Sequence, residues 1–317
     1  MAHEVLLLSR KFRDNMEFAN EFLEARDCFV SPKQIEYPVD EDHLCDLVAD
    51  VEGIITGLEH ISPKVMAAAP NLKVVSAGGV GYDHIDLAEA NKRGITVAIC
   101  AGCNNHAVSE LAIGMMLNLA RQVRVADNMM RDDGWGRMMG GELWGKTLGI
   151  VGLGRVGRAT ALLGKAFGMR VLANDVDWDI TFANTQGLTY VPLDTLLRES
   201  DYISLHCPLT SVTRSLIDED AIDKMKDSAI LINTARGPVV KQEALVNALA
   251  TKRIAGAGLD VFEVEPHPDN PYTEFDNVIL TPHIGGSTVE AFDRAMYLAM
   301  VNVSNVLNGH PAHCAVN

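Results

Sequence analysis

Three glycines, an aspartate and a histidine are the residues of this chain whose types and spacing point first to chemistry. Gly152, Gly154 and Gly157 stand in G-x-G-x-x-G spacing within "KTLGIVGLGRVGRATALLGKAFG". Alone that pattern is weak; here an apolar run precedes it and helical spacing follows it, the setting in which such a loop wraps a dinucleotide. Gly152 permits the tight turn, Gly154 lets the backbone approach a pyrophosphate, and Gly157 lets the helix lie against the strand. The phosphates then meet free N–H groups at the helix start, around Arg155 and Val156. That helix is expected to turn Val156, Leu163 and Phe167 to one apolar face. After a second apolar run, "MRVLAND", comes Asp175, about twenty residues beyond the glycines, where a carboxylate accepts the ribose hydroxyls of NAD and repels the 2′-phosphate of NADP. Asn174, Val176 and Asp177 offer no cation to replace it, so NAD is the expected cofactor.

The histidine is His283, in "ILTPHIGGST". It sits between the end of an apolar run and a Gly-Gly turn, fixed on one side by Pro282. An imidazole titrates near neutrality and suits acid–base chemistry, although a lone histidine also serves to cap a helix or satisfy a buried carbonyl. Cys100 and Cys103, in "CAGC", are the only suggestively spaced cysteines of the six. With no second Cys or His pair nearby they make a poor zinc signal, and no thioredoxin-like context supports a redox role.

The elements that must position these residues alternate along the chain. "EVLLLS", "EGIIT", "LKVVSAG" and "ITVAI" read as strands, with helical spacing in "DEDHLCDLVAD" and "DLAEANKRG" between them. "SELAIGMMLNLARQ" is a longer helix, and "RDDGWGRMMGGELWG" resembles neither helix nor strand. A second series follows, in which "KTLGIVG", "MRVLAND", "DYISLH", "AILINTA", "AGAGLDV" and "NVILTPH" read as strands. The amphipathic "TVEAFDRAMYLAMVNVSNVLNG" closes the chain at Gly309. Such alternation predicts parallel α/β structure. At 317 residues, with 48% hydrophobic and 22% charged, the chain is ordinary in composition and long enough for two domains. A net charge of −15 argues against a nucleic-acid or anionic-membrane surface. No apolar run suits a membrane span or a signal peptide, so a cytoplasmic protein is expected.

Three more segments fall in order after the fingerprint: "NTARGPVV" with Arg236, "GAGLDVFEVEP" with Asp260 and Glu265, and "TPHIGGST" with His283. With "LHCPLTSVTRSLI" between them and "SAGGVGYDHIDL" upstream, nearly the whole chain resembles the D-isomer-specific 2-hydroxyacid dehydrogenases. The resemblance implies an α/β fold of two Rossmann-like parallel-sheet domains with an interdomain cleft, the NAD domain (residues 101–285) inserted into the substrate domain (residues 1–100 and 286–317). It also implies hydride exchange between NAD and carbon 2 of a small D-2-hydroxy acid. His283 would then be the acid–base group, Glu265 its orienting carboxylate and Arg236 the grip on the substrate carboxylate. Val80 and Gly81 would hold the other carboxylate oxygen through their N–H groups, a close approach that Gly79 and Gly81 permit. Asn104 would sit at the interdomain crossing, near substrate. His206, Cys207, Pro208, Thr213, Thr234, Ala235 and Asp260 would meet the cofactor, His206 in a structural more than a catalytic role. Gly237, beside Arg236, suggests crowding by a ligand. Two departures from the family pattern stand out: Lys241 replaces an acidic residue, with an effect expected on helix capping, and Cys100 and Cys103 occupy a loop that could touch substrate.

Phosphoglycerate dehydrogenases share "GKTLGIVGLGRVGR" and "LINTARG" but commonly carry an arginine for the substrate phosphate after the strand that here reads "GIITGLEHIS". This chain has Leu58 and Glu59 there, with His60 the only candidate cation. No regulatory domain is expected after Asn317. Glyoxylate or hydroxypyruvate is therefore the expected substrate type, with phosphoglycerate next; an NAD-sensing binding protein on the same scaffold is the alternative of another class. A homodimer is expected from the apolar helix "SELAIGMMLNLAR" and the following arm with Trp135 and Trp144.

Overall fold

The computed structural model describes residues 2–267 and 269–317, the side chain of Lys11 excepted. Its internal contacts divide the chain into two units: the residues up to Asn104 with Val289–Asn317, and Asn105–Thr288. Residues 101–104 therefore go with the first unit and residues 286–288 with the second.

In the first unit, β1 (His3–Leu7), β2 (Cys28–Val30), β3 (Gly53–Thr56), β4 (Val74–Ala77) and β5 (Thr96–Ala98) form a parallel sheet in the order β2-β1-β3-β4-β5. Every residue of β3 and β4 is buried, as strands covered on both faces require. The terminal helix Val289–Leu307 lies close on this sheet: a Cβ at Gly53 would stand 2.7 Å from Val303 Cγ1. The order reverses between β1 and β3, and in open parallel sheets ligands favour the strand carboxyl ends at such a point. Cys100 and Cys103 are packed in this core rather than presented to a ligand. The Cys100 thiol donates to Ala77 O and Ala295 O, both at 3.2 Å.

In the second unit, β6 (Thr147–Val151), β7 (Arg170–Asn174), β8 (Thr189–Tyr190), β9 (Tyr202–Leu205), β10 (Ile230–Asn233), β11 (Gly256–Leu259) and β12 (Val278–Leu280) form a parallel sheet. Its order is β12-β11-β10-β9-β6-β7-β8, which reverses between β6 and β9. The fingerprint helix, Arg155–Ala166, differs from expectation in its buried face. That face is Gly157, Thr160, Ala161 and Gly164, while Val156 and Leu163 are half-buried and Phe167 is exposed. The cause is proximity. A Cβ at Gly157 would lie 2.0 Å from Gly152 O, and one at Gly164 2.5 Å from Leu148 Cδ2, so only small residues fit beneath this helix. Residues 132–146 form neither helix nor strand, as expected, and the preceding helix Val123–Arg131 is amphipathic yet buries none of its residues. Among the described residues, no helix is long and apolar enough to cross a membrane.

Candidate active site

The fingerprint loop leaves the carboxyl end of β6 beside the reversal of strand order. Gly152 takes φ +91°, and a Cβ there would strike Cys207 N at 2.6 Å, so the turn admits glycine alone. Gly154 is the N-cap of the helix, offers no side-chain cap, and would have nothing within 4 Å of an added Cβ. Arg155 is exposed and Val156 half-buried at the first turn. This is a cradle open to phosphate at a helix start. Asp175 sits just past β7, and its Oδ2 accepts from Leu153 N at 2.6 Å while Oδ1 accepts from Val176 N at 2.7 Å. The ribose-side carboxylate is thus fixed directly to the phosphate-side loop.

At the carboxyl ends of β9 and β10, two polar atoms are buried without a partner among the described residues: His206 Nδ1 and Thr234 Oγ1. Desolvation pushes the His206 imidazole down to about 3, so it stays neutral, with Nε2 bonded to Ser204 Oγ at 2.9 Å. Burial pushes the Cys207 thiol up to about 11. Thr213 turns its hydroxyl inward, to Pro208 O at 2.5 Å, and so staples the loop after β9. Open glycine cradle, fixed carboxylate and orphaned polar atoms at neighbouring strand ends fit a dinucleotide.

Asp260 directly follows β11. It is 1% exposed, and its carboxylate accepts from Thr281 Oγ1 (2.6 Å), Ile284 N (2.7 Å) and Gly285 N (2.8 Å). Its carbonyl oxygen takes His283 N at 2.9 Å. These bonds hold His283 at φ +53°, a left-handed backbone that a non-glycine residue adopts only where its surroundings impose it. The imidazole thereby meets Glu265, with Nδ1 2.6 Å from Glu265 Oε2. The bond that His283 donates to Glu265 raises the His283 pKa; burial opposes the rise, the charges of Glu265 and Asp260 support it, and Arg236 opposes it. Burial tends to raise Glu265 itself, but the bonds from His283 and from Phe262 N outweigh it and the net shift is downward. The pair therefore favours imidazolium beside carboxylate.

Arg236 follows β10 by three residues, in a turn clamped by Asn233. Asn233 Nδ2 donates to Arg236 O at 2.9 Å, and Asn233 Oδ1 accepts from Ala235 N at 3.0 Å. Arg236 Nη1 donates to Ala235 O at 2.7 Å. The crowding at Gly237 comes from protein, not ligand: an added Cβ would stand 1.9 Å from Phe262 C and O. Lys241 is the N-cap of the helix Gln242–Ala250 without a side-chain cap bond, and its ammonium pairs with Glu219. Asn233 and Thr281 are site-building residues that sequence reasoning passed over. Asn233 is the polar last residue of the strand "ILIN" and Thr281 directly follows the apolar strand "VIL", and that was the available signal.

In the first unit, Val80 and Gly81 leave the carboxyl end of β4, and a Cβ at Gly79 would meet nothing within 4 Å. The loop after β3 runs alongside, joined to it at Gly78 N→Thr56 O (2.7 Å) and Ile61 N→His84 O (2.9 Å). In it, Glu59 Oε2 accepts from Gly57 N at 2.7 Å and Thr56 Oγ1 at 3.0 Å. Asn104, the last residue of this unit's first segment, buries its side-chain oxygen without a partner among the described residues.

Comparison with known proteins finds relatives over most of the chain. A family model described as "D-isomer specific 2-hydroxyacid dehydrogenase, NAD binding domain" matches residues 113–285. The chain is 45% identical over 292 residues to a glyoxylate reductase of Thermofilum pendens, covering 89% of this chain and 86% of that one. It is 38% identical to a hydroxypyruvate reductase of Thermotoga maritima, covering 84% and 90%. Among solved structures, the D-lactate dehydrogenase of Aquifex aeolicus complexed with NAD and lactic acid superposes with a TM-score of 0.83 at 30% identity, covering 96% of each chain.

Proposed function

The chain belongs to the D-isomer-specific 2-hydroxyacid dehydrogenase family, and from that premise we propose that it reduces glyoxylate and hydroxypyruvate, reversibly, with NADH. It is an NAD-dependent oxidoreductase acting on the CH–OH group of small 2-hydroxy acids. The observation that carries the reading is the 2.6 Å bond between His283 Nδ1 and Glu265 Oε2, in the same unit as the dinucleotide cradle. A coenzyme sensor has no need of a matched acid–base pair.

Bound NADH supplies the hydride for carbon 2. His283, protonated with the help of Glu265, gives a proton from Nε2 to the carbonyl oxygen, and in oxidation the neutral ring takes it back. Arg236 binds the substrate carboxylate and polarises the carbonyl with donors that stay charged at every working pH. The N–H groups of Val80 and Gly81 are assigned to the carboxylate as well, with Asn104 near it. Gly152, Gly154, Arg155, Val156 and Gly157 are assigned to the pyrophosphate and Asp175 to the adenosine ribose. His206, Cys207, Pro208, Thr234 and Ala235 would line the rest of the coenzyme path. Glu59 supports an unphosphorylated substrate, since a fixed carboxylate repels a phosphate dianion. We place the enzyme in the cytosol, in keeping with six free cysteines, and propose that it pairs with a second copy of itself.

The test is NADH absorbance in the presence of glyoxylate, hydroxypyruvate, pyruvate and phosphohydroxypyruvate. Turnover led by the first two supports the reading. NADH binding without turnover of any keto acid would replace it with the sensor.

A further inference from the structure

Gly237 and Phe262 meet backbone to backbone. A Cβ at Gly237 would stand 1.9 Å from the Phe262 carbonyl carbon and oxygen and 2.5 Å from Glu263 N, where real Cβ atoms keep beyond 3.0 Å. The turn that carries Arg236 is therefore pressed directly onto the segment that follows β11. That same segment bonds to Glu265: Phe262 N donates to Oε1 at 2.9 Å, while Oε2 faces His283 at 2.6 Å. The Phe262 ring is held in turn, edge-on to His267 at 6.0 Å between centroids and tilted on Tyr272 at 6.5 Å. A carboxylate on a two-carbon stem would otherwise sample several rotamers, and most of them lose the imidazole. With one oxygen pinned by a backbone N–H, the other has a single direction.

We propose that Gly237 is a positioning residue that, acting through the Phe262 backbone, aims the Glu265 carboxylate at His283. The same contact ties the Arg236 turn to that pair, so the substrate grip and the acid–base group share one backbone reference. The inference rests on the roles given above to Glu265 and His283. It requires only that glycine stand at position 237 and that residue 262 donate an N–H. The charged groups that face His283 are Glu265, Asp260 and Arg236, and the Gly237→Ala and Phe262-ester proteins below keep all three.

The experiment measures kcat/KM for glyoxylate reduction against pH, with the His283 ring titrated by nitrogen NMR in the free enzyme. Four proteins are compared: wild type, Glu265→Gln, Gly237→Ala, and a protein in which Phe262 is replaced by its α-hydroxy acid, so that an ester oxygen stands where the N–H was. Glu265→Gln is the reference and should lower the alkaline pKa. Gly237→Ala and the ester should lower it in the same direction, by about half a pH unit or more, with the carboxylate still present. The ester adds no bulk, so it carries the test if Gly237→Ala fails to fold. If the reference moves while the ester keeps the wild-type titration, or a folded Gly237→Ala does so, Gly237 serves packing alone and the inference is overturned. If Glu265→Gln itself leaves the titration in place, the assignment of Glu265 fails, and this inference goes with it.

Discussion

Asp260 holds the loop of His283 at four points: through its carbonyl oxygen to His283 N, and through its carboxylate to Thr281 Oγ1, Ile284 N and Gly285 N. A carboxylate suits this task because every bond there asks for an acceptor. Asp260→Asn puts an amide NH2 where one of those donors already points, and the side chain is too deeply buried for water to repair the mismatch. The expected loss is about 1–3 kcal/mol of stability. Turnover should fall as well, since His283 owes its left-handed backbone to these bonds. A thermal melt and a glyoxylate assay check both. Unchanged melting together with full activity would contradict the anchor.

The pH behaviour follows from the direction of the His283 shift. Reduction needs the imidazolium, so its rate holds below the His283 pKa and is lost as pH rises through it. Glu265 raises that pKa, so Glu265→Gln should move the alkaline limb to lower pH. Oxidation needs the neutral ring, and its acid limb should move down too. His283→Ala should still bind NADH yet lose roughly two to four orders of magnitude in turnover. Profiles of kcat/KM in both directions decide the matter. Limbs that stay put would transfer the partner role to Glu263.

Much of this was legible because the chemistry lies in short segments at strand ends. Gly152, Asp175, Arg236 and His283 each follow an apolar run that marks its own strand, and the parallel sheets follow from the alternation. What escaped has physical causes. The Pro63–Ala68 helix and the short strands β2 and β8 are too brief for their periodicity to stand out. The small-residue face of the fingerprint helix defeats a reading based on large apolar residues, because close approach selects for volume rather than hydrophobicity. The tightness at Gly237 was visible in sequence, but its cause, the Phe262 peptide, lies twenty-five residues away along the chain.

Coenzyme choice tests Asp175. Its carboxylate is tied to Leu153 N and Val176 N and cannot swing aside for a 2′-phosphate without breaking both bonds. The ratio of kcat/KM for NADH over NADPH should be large in wild type and should narrow in Asp175→Ala by about tenfold or more. Equal values in the wild type would remove Asp175 from its assigned role.

Glu59 tests the substrate. Gly57 N and Thr56 Oγ1 fix its carboxylate at the end of β3, next to the point where the first sheet reverses its order. Phosphohydroxypyruvate should be reduced less efficiently than hydroxypyruvate, and Glu59→Gln should shrink the difference while keeping an oxygen to accept the Gly57 N–H. A wild-type kcat/KM for phosphohydroxypyruvate above that of every unphosphorylated keto acid would reverse the ranking.

Self-association rests on the stretch after the long helix Asn105–Arg121. The helix Val123–Arg131 buries none of its residues, and the segment after it leaves Trp135 88%, Met139 90% and Trp144 74% exposed. The Trp144 ring lies against Gly168, where an added Cβ would come within 2.5 Å of it. Two indoles and a long apolar side chain bare to water are costly in a monomer, and a C2 pair would cover the same patch on both copies. Light scattering at micromolar concentration should give twice the chain mass. Trp135→Asp combined with Met139→Asp should shift the mass toward the monomer, because each copy would bring two charges into the same buried patch. A wild-type monomer at that concentration would leave the exposed arm without a partner of its own kind.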